Sequence, residues 1–188
     1  MPRRSFRGPL LAKAVVRLLL ILIIGWSVAT YFLVVRPSLQ SPPRHVDAVV
    51  VLGPASVAGA LNLGIQDVRR GAATTLVIST AEAGFDNHLC NVLLRPGART
   101  VCFFPHPATT AGEAQFVSVL ARRSKWSSVT VITGRYHAAR AAFLLRRCFA
   151  GRVYAVGADR GLRWSTWIRQ IFYESGAWPK ALARHDCS

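Results

Sequence analysis

The sequence predicts an α/β fold, a three-layer sandwich around a mostly parallel five-stranded sheet, preceded by one transmembrane helix. Three observations lead there. Short apolar runs alternate regularly with longer helical stretches. The runs are continuous rather than alternately polar and apolar, as expected of strands buried on both faces. A long uncharged segment precedes them all.

That segment is Leu18 to Val35, "LLLILIIGWSVATYFLVV", 18 residues without a charge, and Ala14 to Val16 extend it past Arg17. Such a stretch is long enough to span a bilayer core, with Arg17 snorkelling at one edge. Residues 14–35 are therefore expected to be the transmembrane helix and residues 1–13 a basic cytoplasmic terminus. Five basic residues precede the run and two, Arg36 and Arg44, follow it closely. By the positive-inside rule the cell-surface side receives everything after Val35. Ser27 to Ala29, "SVA", has the small residues of a signal-peptidase site, which is the alternative. The apolar run continues through Tyr31 to Val35, which favours an uncleaved anchor, single-pass in the cell membrane. "RPSLQSPPR", within a linker at residues 36–46, is short and stiff and keeps the extracytoplasmic domain, 47–188, near the membrane.

Five strands are expected in the domain: "DAVVVLG" (Asp47 to Gly53), "TTLVIS" (Thr74 to Ser79), "RTVCFF" (Arg99 to Phe104), "SVTVIT" (Ser128 to Thr133) and "RVYAVG" (Arg152 to Gly157). Helical patterns fall near Gly59 to Arg70, Asp86 to Leu94, Thr110 to Lys125, Tyr136 to Phe149 and Trp164 to Leu182. Alternation of this kind implies parallel pairing through right-handed crossovers. Ligands of such sheets bind outside the carboxyl ends of the strands, where the strand order reverses.

All four cysteines lie after the apolar run, and an even number beyond a membrane reads as disulfides. The expected pairs are Cys90 with Cys102, closing a small loop, and Cys148 with Cys187, tying down the C-terminal tail. A zinc site from His88, Cys90, Cys102 and His106 is the alternative, but H-x-C and C-x3-H do not match the common structural spacings. No metal and no cofactor are expected. His45 and His185, at the ends of the domain, read as solvated surface residues.

The net charge is +16, from 24 Lys and Arg against 8 Asp and Glu. It suggests an anionic neighbour, with lipid headgroups, phosphates and nucleic acid as the choices. The arginine bias, with three lysines in all, is also what a GC-rich genome gives. Export and the absence of aromatics interleaved with a basic stripe argue against nucleic acid.

The most informative stretch is "VITGRYHAAR", Val131 to Arg140. His137 and Arg140 fall three apart in the first turn of a helix that follows a strand end. With the helix N-terminus they would form a cationic pocket for a phosphate or carboxylate. An imidazole there is also suited to acid/base catalysis. The plain alternative is that His137 caps or packs against a loop and Arg140 is solvated. The first strand ends in "VLGPASVAG", which contains Gly53 but lacks the G-x-G-x-x-G spacing of dinucleotide sites. The second ends in "STAEAG", where Ser79, Thr80 and Glu82 either hydrogen-bond a ligand or make a turn. In "HPATTAGEAQF", Thr109 or Thr110 followed by Glu113 resembles a capping box, and Glu113 reads as a cap before a base. No nucleophile elbow, P-loop or paired carboxylate occurs. The candidate catalytic residues are thus His137 and Arg140. The candidate ligand-binding residues are Gly53, Ser79, Thr110, Glu113, Thr133 and Arg135.

"DAVVVLG", "ATTAGEA" and "VTVITGRYHAARAAFLLRRCF", in that order, resemble the SanA/YdcF/ElyC-like family of bacterial envelope domains, catalogued without a known function. The resemblance covers roughly Asp47 to Gly157, and the arginine-rich style and cysteines are similar to actinobacterial members. It implies a Rossmann-like fold, frequent N-terminal anchoring and a suspected enzymatic activity. His137 and Arg140 match the family's most recognisable pair, Thr133 its strand-end hydroxyl, and Thr110 the Thr of its Ser-Thr-x-Glu-Asn motif. The chain departs from that motif at Gly112 and Glu113, has Pro54 in place of a second glycine, and lacks an arginine early in its first domain helix. The expected function is binding or processing of an anionic, phosphate-bearing envelope precursor. A non-catalytic scaffold with a degenerate site is the alternative.

Overall fold

The computed structural model describes residues 8–37, 39–53, 59–80, 90, 94–158, 162–183 and 187. Helix α1, Gly8–Thr30, runs on as a π-helical turn, Tyr31–Val35, and the stretch Leu11–Val35 is long and apolar enough to cross a membrane. Val34 is buried, and the turn packs against the helix that carries His137. The helix therefore starts several residues before the expected position 14.

The domain follows as β1 (Ala48–Val51), α2 (Ala60–Arg69), β2 (Thr75–Ser79), β3 (Arg99–Phe103), α3 (Thr110–Ser124), β4 (Ser128–Gly134), α4 (Arg135–Cys148), β5 (Arg152–Ala158) and α5 (Trp164–Ala183). The expected helix at Asp86 to Leu94 lies almost wholly outside the described residues, as do Pro54, Glu82, His88 and His185. Strand order is β3-β2-β1-β4-β5 and every pairing is parallel. The expected fold class is the one observed.

Period two in the strands divides the core into two layers. Ala48 and Val50 of β1 face one side with Val129 and Val131, against Val117 of α3 and Leu145 of α4. Val49 and Val51 face the other with Leu76 and Ile78, against Ala60 and Val68 of α2. Gly64 lets α2 lie close on the sheet: a Cβ there would stand 2.7 Å from Val51 Cγ2. Asp47 ties the start of β1 to the start of β4, its Oδ2 accepting from the backbone N–H groups of Ser127 (2.8 Å) and Ser128 (2.9 Å). Burial raises that carboxyl, but these hydrogen bonds outweigh it and hold the pKa below its usual value. His45 Nδ1 lies 3.0 Å from the carbonyl oxygen of Gly71, so it is bonded as well as exposed.

Cys90 is joined to Cys102 and Cys148 to Cys187, the expected pairs. The zinc alternative fails on this point, since both of its thiolates are consumed by one bond. His106 instead sets its ring edge-on to Phe104.

Candidate functional site

The order β3-β2-β1-β4-β5 reverses between β1 and β4, and a cleft of about 650 Å³ opens there. Its floor is Leu52 and Gly53 after β1 and Thr133 of β4. The N-termini of α3 and α4 form one wall and α5 the other. Both N-termini bring the positive end of the helix dipole to the same space.

His137 and Arg140 do share a face of α4, and both are nearly buried. What they meet was not foreseen. Glu174 of α5, with no exposed surface, receives the Arg140 guanidinium as a fork: Nε to Oε2 at 2.6 Å and Nη2 to Oε1 at 2.8 Å. Arg140 Nη1 also donates to Thr110 Oγ1, at 3.3 Å. The charge of Arg140 is therefore largely answered inside the protein by Glu174, while the residue still lines the cleft. Burial pushes the Glu174 carboxyl up. Hydrogen bonds from Arg140 and then His137, with their charges, more than offset this and hold it below the ordinary range.

His137 Nδ1 lies 3.2 Å from Glu174 Oε1 and 2.9 Å from Arg140 Nη2. A guanidinium only donates and a carboxylate only accepts, so the two contacts serve different protonation states. With a proton, Nδ1 donates to Glu174; without one, it accepts from Arg140. The ring is held in one orientation either way, with Nε2 3.5 Å from Thr110 Oγ1 on the cleft side. When Nδ1 carries its proton and donates to Glu174, the Nε2 lone pair can take a proton from a hydroxyl in the cleft and return it; when Nδ1 accepts from Arg140, the proton of the neutral ring is on Nε2 and can only be given.

Thr109 caps α3, its Oγ1 accepting from Gly112 N at 3.2 Å. This half of the expected capping box is present. Glu113 does not complete it; its Oε1 accepts from the N–H of Gly53 at 2.9 Å and so pins the end of β1 to α3. The Gly53 N–H is thereby occupied and unavailable to a ligand. Gly112 is the residue that fits: a Cβ there would collide with the Pro107 carbonyl oxygen.

Thr110, Glu113, Thr133, His137 and Arg140 thus come together at the cleft with Gly53. Two candidates do not. Ser79 is fully buried in β2, and its Oγ has no hydrogen-bond partner among the described residues. Arg135 backs onto Gly157 of β5 rather than lining the cleft. The sequence reading missed Tyr136 and the α5 wall, notably Arg169, Tyr173 and Glu174. Tyr136 has its hydroxyl pushed up by burial and by the charge of Glu174, partly opposed by Arg169. A signal for Glu174 was present, since it is the single carboxylate of an otherwise apolar and basic last helix.

The fold and site define a doubly wound α/β domain with a histidine–carboxylate pair at its switch point. No protein-family model, curated protein or solved structure matches the chain.

Proposed function

We propose that this chain is a membrane-anchored, extracytoplasmic member of the SanA/YdcF/ElyC-like envelope family, whose cleft binds and processes an anionic, phosphate-bearing precursor. His137 is the acid/base, Glu174 and Arg140 fix its ring, and Thr110 and Thr133 are the positioning hydroxyls. The anion is met by the two helix N-termini and by Arg169 at the mouth, in place of Arg140. The observation that carries the reading is the contact of His137 Nδ1 with buried Glu174, which leaves Nε2 beside Thr110 on the cleft side. The apolar Leu11–Val35 helix supports the anchor, and two disulfides support a domain outside the cytoplasm.

The test uses the full chain in detergent with phosphomonoesters, sugar nucleotides and polyprenyl phosphate analogues, followed by melting temperature and phosphate or sugar release. A ligand at about a hundred times its dissociation constant adds roughly 2.7 kcal/mol to stability. Turnover in the wild type that falls by about 10²- to 10⁴-fold in His137→Gln, with ligand-induced stabilisation retained, is expected. Stabilisation without turnover in either protein would instead make the chain a scaffold. No stabilisation by any phosphate-bearing compound would end the reading.

A further inference from the structure

Helix α5 turns Glu174 and Ala181 into the domain and leaves a stripe of large apolar side chains outside. Trp164, Ile168 and Phe172 follow one another at four-residue spacing and are 78%, 44% and 66% exposed. This stripe is continuous with the apolar α1 helix: the Trp26 ring stacks on Phe172, and Trp26 Nε1 donates to Ser175 Oγ at 3.0 Å.

We infer that α5 is a second membrane contact, an interfacial helix that lays this stripe into the leaflet beside α1, on anionic lipid. It rests on the anchoring part of the proposed function and not on the cleft chemistry. Depth decides the matter. Leu11–Val35 has 25 residues, so at 1.5 Å per residue it is about 36 Å long. A hydrocarbon core of about 30 Å with one headgroup layer takes up that length, which puts Val35 at the outer headgroups and Leu11 at the opposite core boundary. Trp26, nine residues before Val35, then sits roughly 13 Å inward, just below the headgroup layer. Its partner Phe172 is carried to the same level, within the roughly 5 to 10 Å that interfacial helices enter the acyl boundary.

Charge supports the lipid over a protein partner. Arg169 and Lys180 lie about 60° and 80° round α5 from Phe172, at the edge of the stripe, where their stems run along apolar surface and their heads reach phosphates. Arg169 and Tyr173 also line the cleft, so the mouth opens at the headgroup layer.

The test places a nitroxide on Ile168→Cys, and separately on Trp164→Cys, in the full chain reconstituted into phosphatidylcholine–phosphatidylglycerol liposomes. Gln66→Cys, exposed on α2 across the sheet, is the reference. Flotation with the liposomes checks the anchor, and melting with both native disulfides closed checks the fold of each variant. Accessibility to oxygen relative to a water-soluble nickel chelate should be several-fold higher at 168 and 164 than at 66. A chain that floats but whose two stripe labels are as open to the nickel chelate as position 66 overturns the inference. Labels shielded from both reagents also overturn it, since a protein surface, a second copy included, would then cover the stripe.

Discussion

Glu174 is the residue on which the site depends. It is fully buried, it holds Arg140 by two hydrogen bonds, and its loss leaves a guanidinium in the interior without a counter-charge. Glu174→Gln should destabilise the domain by about 3 to 5 kcal/mol, while Arg140→Met/Glu174→Leu should recover most of that loss. Chemical denaturation of the three variants measures both. The pH dependence has a definite sign. The folded carboxyl titrates below its unfolded value of about 4.3, so its stabilising contribution is complete above that pH and drains away as the pH falls through the folded value. Melting temperature should drop on acidification below about pH 4.3, and less steeply in the double variant. His137, Arg140 and Thr110 were legible as cleft residues because they lie in the first turns of helices that follow the carboxyl ends of strands, where such sheets bind ligands. Their partner was not, because it lies 34 residues beyond Arg140 on a different helix, and no local pattern encodes that meeting.

At the scale of elements, continuous β-branched runs located all five strands to within a few residues, since burial on both faces leaves little room for other side chains. Helix beginnings were less legible. "TTAGEA" was read as a capping box, yet Glu113 turns away to β1 because Gly53 has an N–H left over after the strand ends. Gly112 has a spatial cause in the Pro107 carbonyl that passes directly against it. Gly112→Ala should therefore cost roughly 1 to 3 kcal/mol by pushing the Pro107 loop away, and should weaken ligand-induced stabilisation by moving Thr110. Gly176→Ala in α5 meets nothing within 4 Å among the described residues and should instead stabilise by up to about 1 kcal/mol. Two melts of otherwise similar proteins would show the opposite signs.

Across the whole molecule, α5 is held in place by more than packing. Cys148 ends α4 and Cys187 follows α5, so the bond between them fastens the helix that supplies Glu174 to the helix that supplies His137. It closes a loop of 39 residues, against 12 for Cys90–Cys102. In the chain-entropy model these bonds contribute about 4 and about 3 kcal/mol. Cys148→Ser/Cys187→Ser should lower the melting temperature more than Cys90→Ser/Cys102→Ser, and should be the pair that also weakens ligand binding. Thermal melts of the two pairs, with and without ligand, provide the check. The alternation of strands and helices made the class readable from the sequence. The return of α5 over the cleft was not readable, because it is decided by contacts between distant segments.

The place of β1 in the sheet also sets an order of events. It precedes the other four strands of the sheet in the chain, yet one of its two neighbours is β4, whose start bonds to Asp47 across a separation of 80 residues. Until β4 arrives, β1 has an open edge and the cleft has only half a floor. Loop closure over that distance comes late and is slow. A chain without β4 and α4 therefore lacks Thr133, His137 and Arg140, and with them most of the cleft.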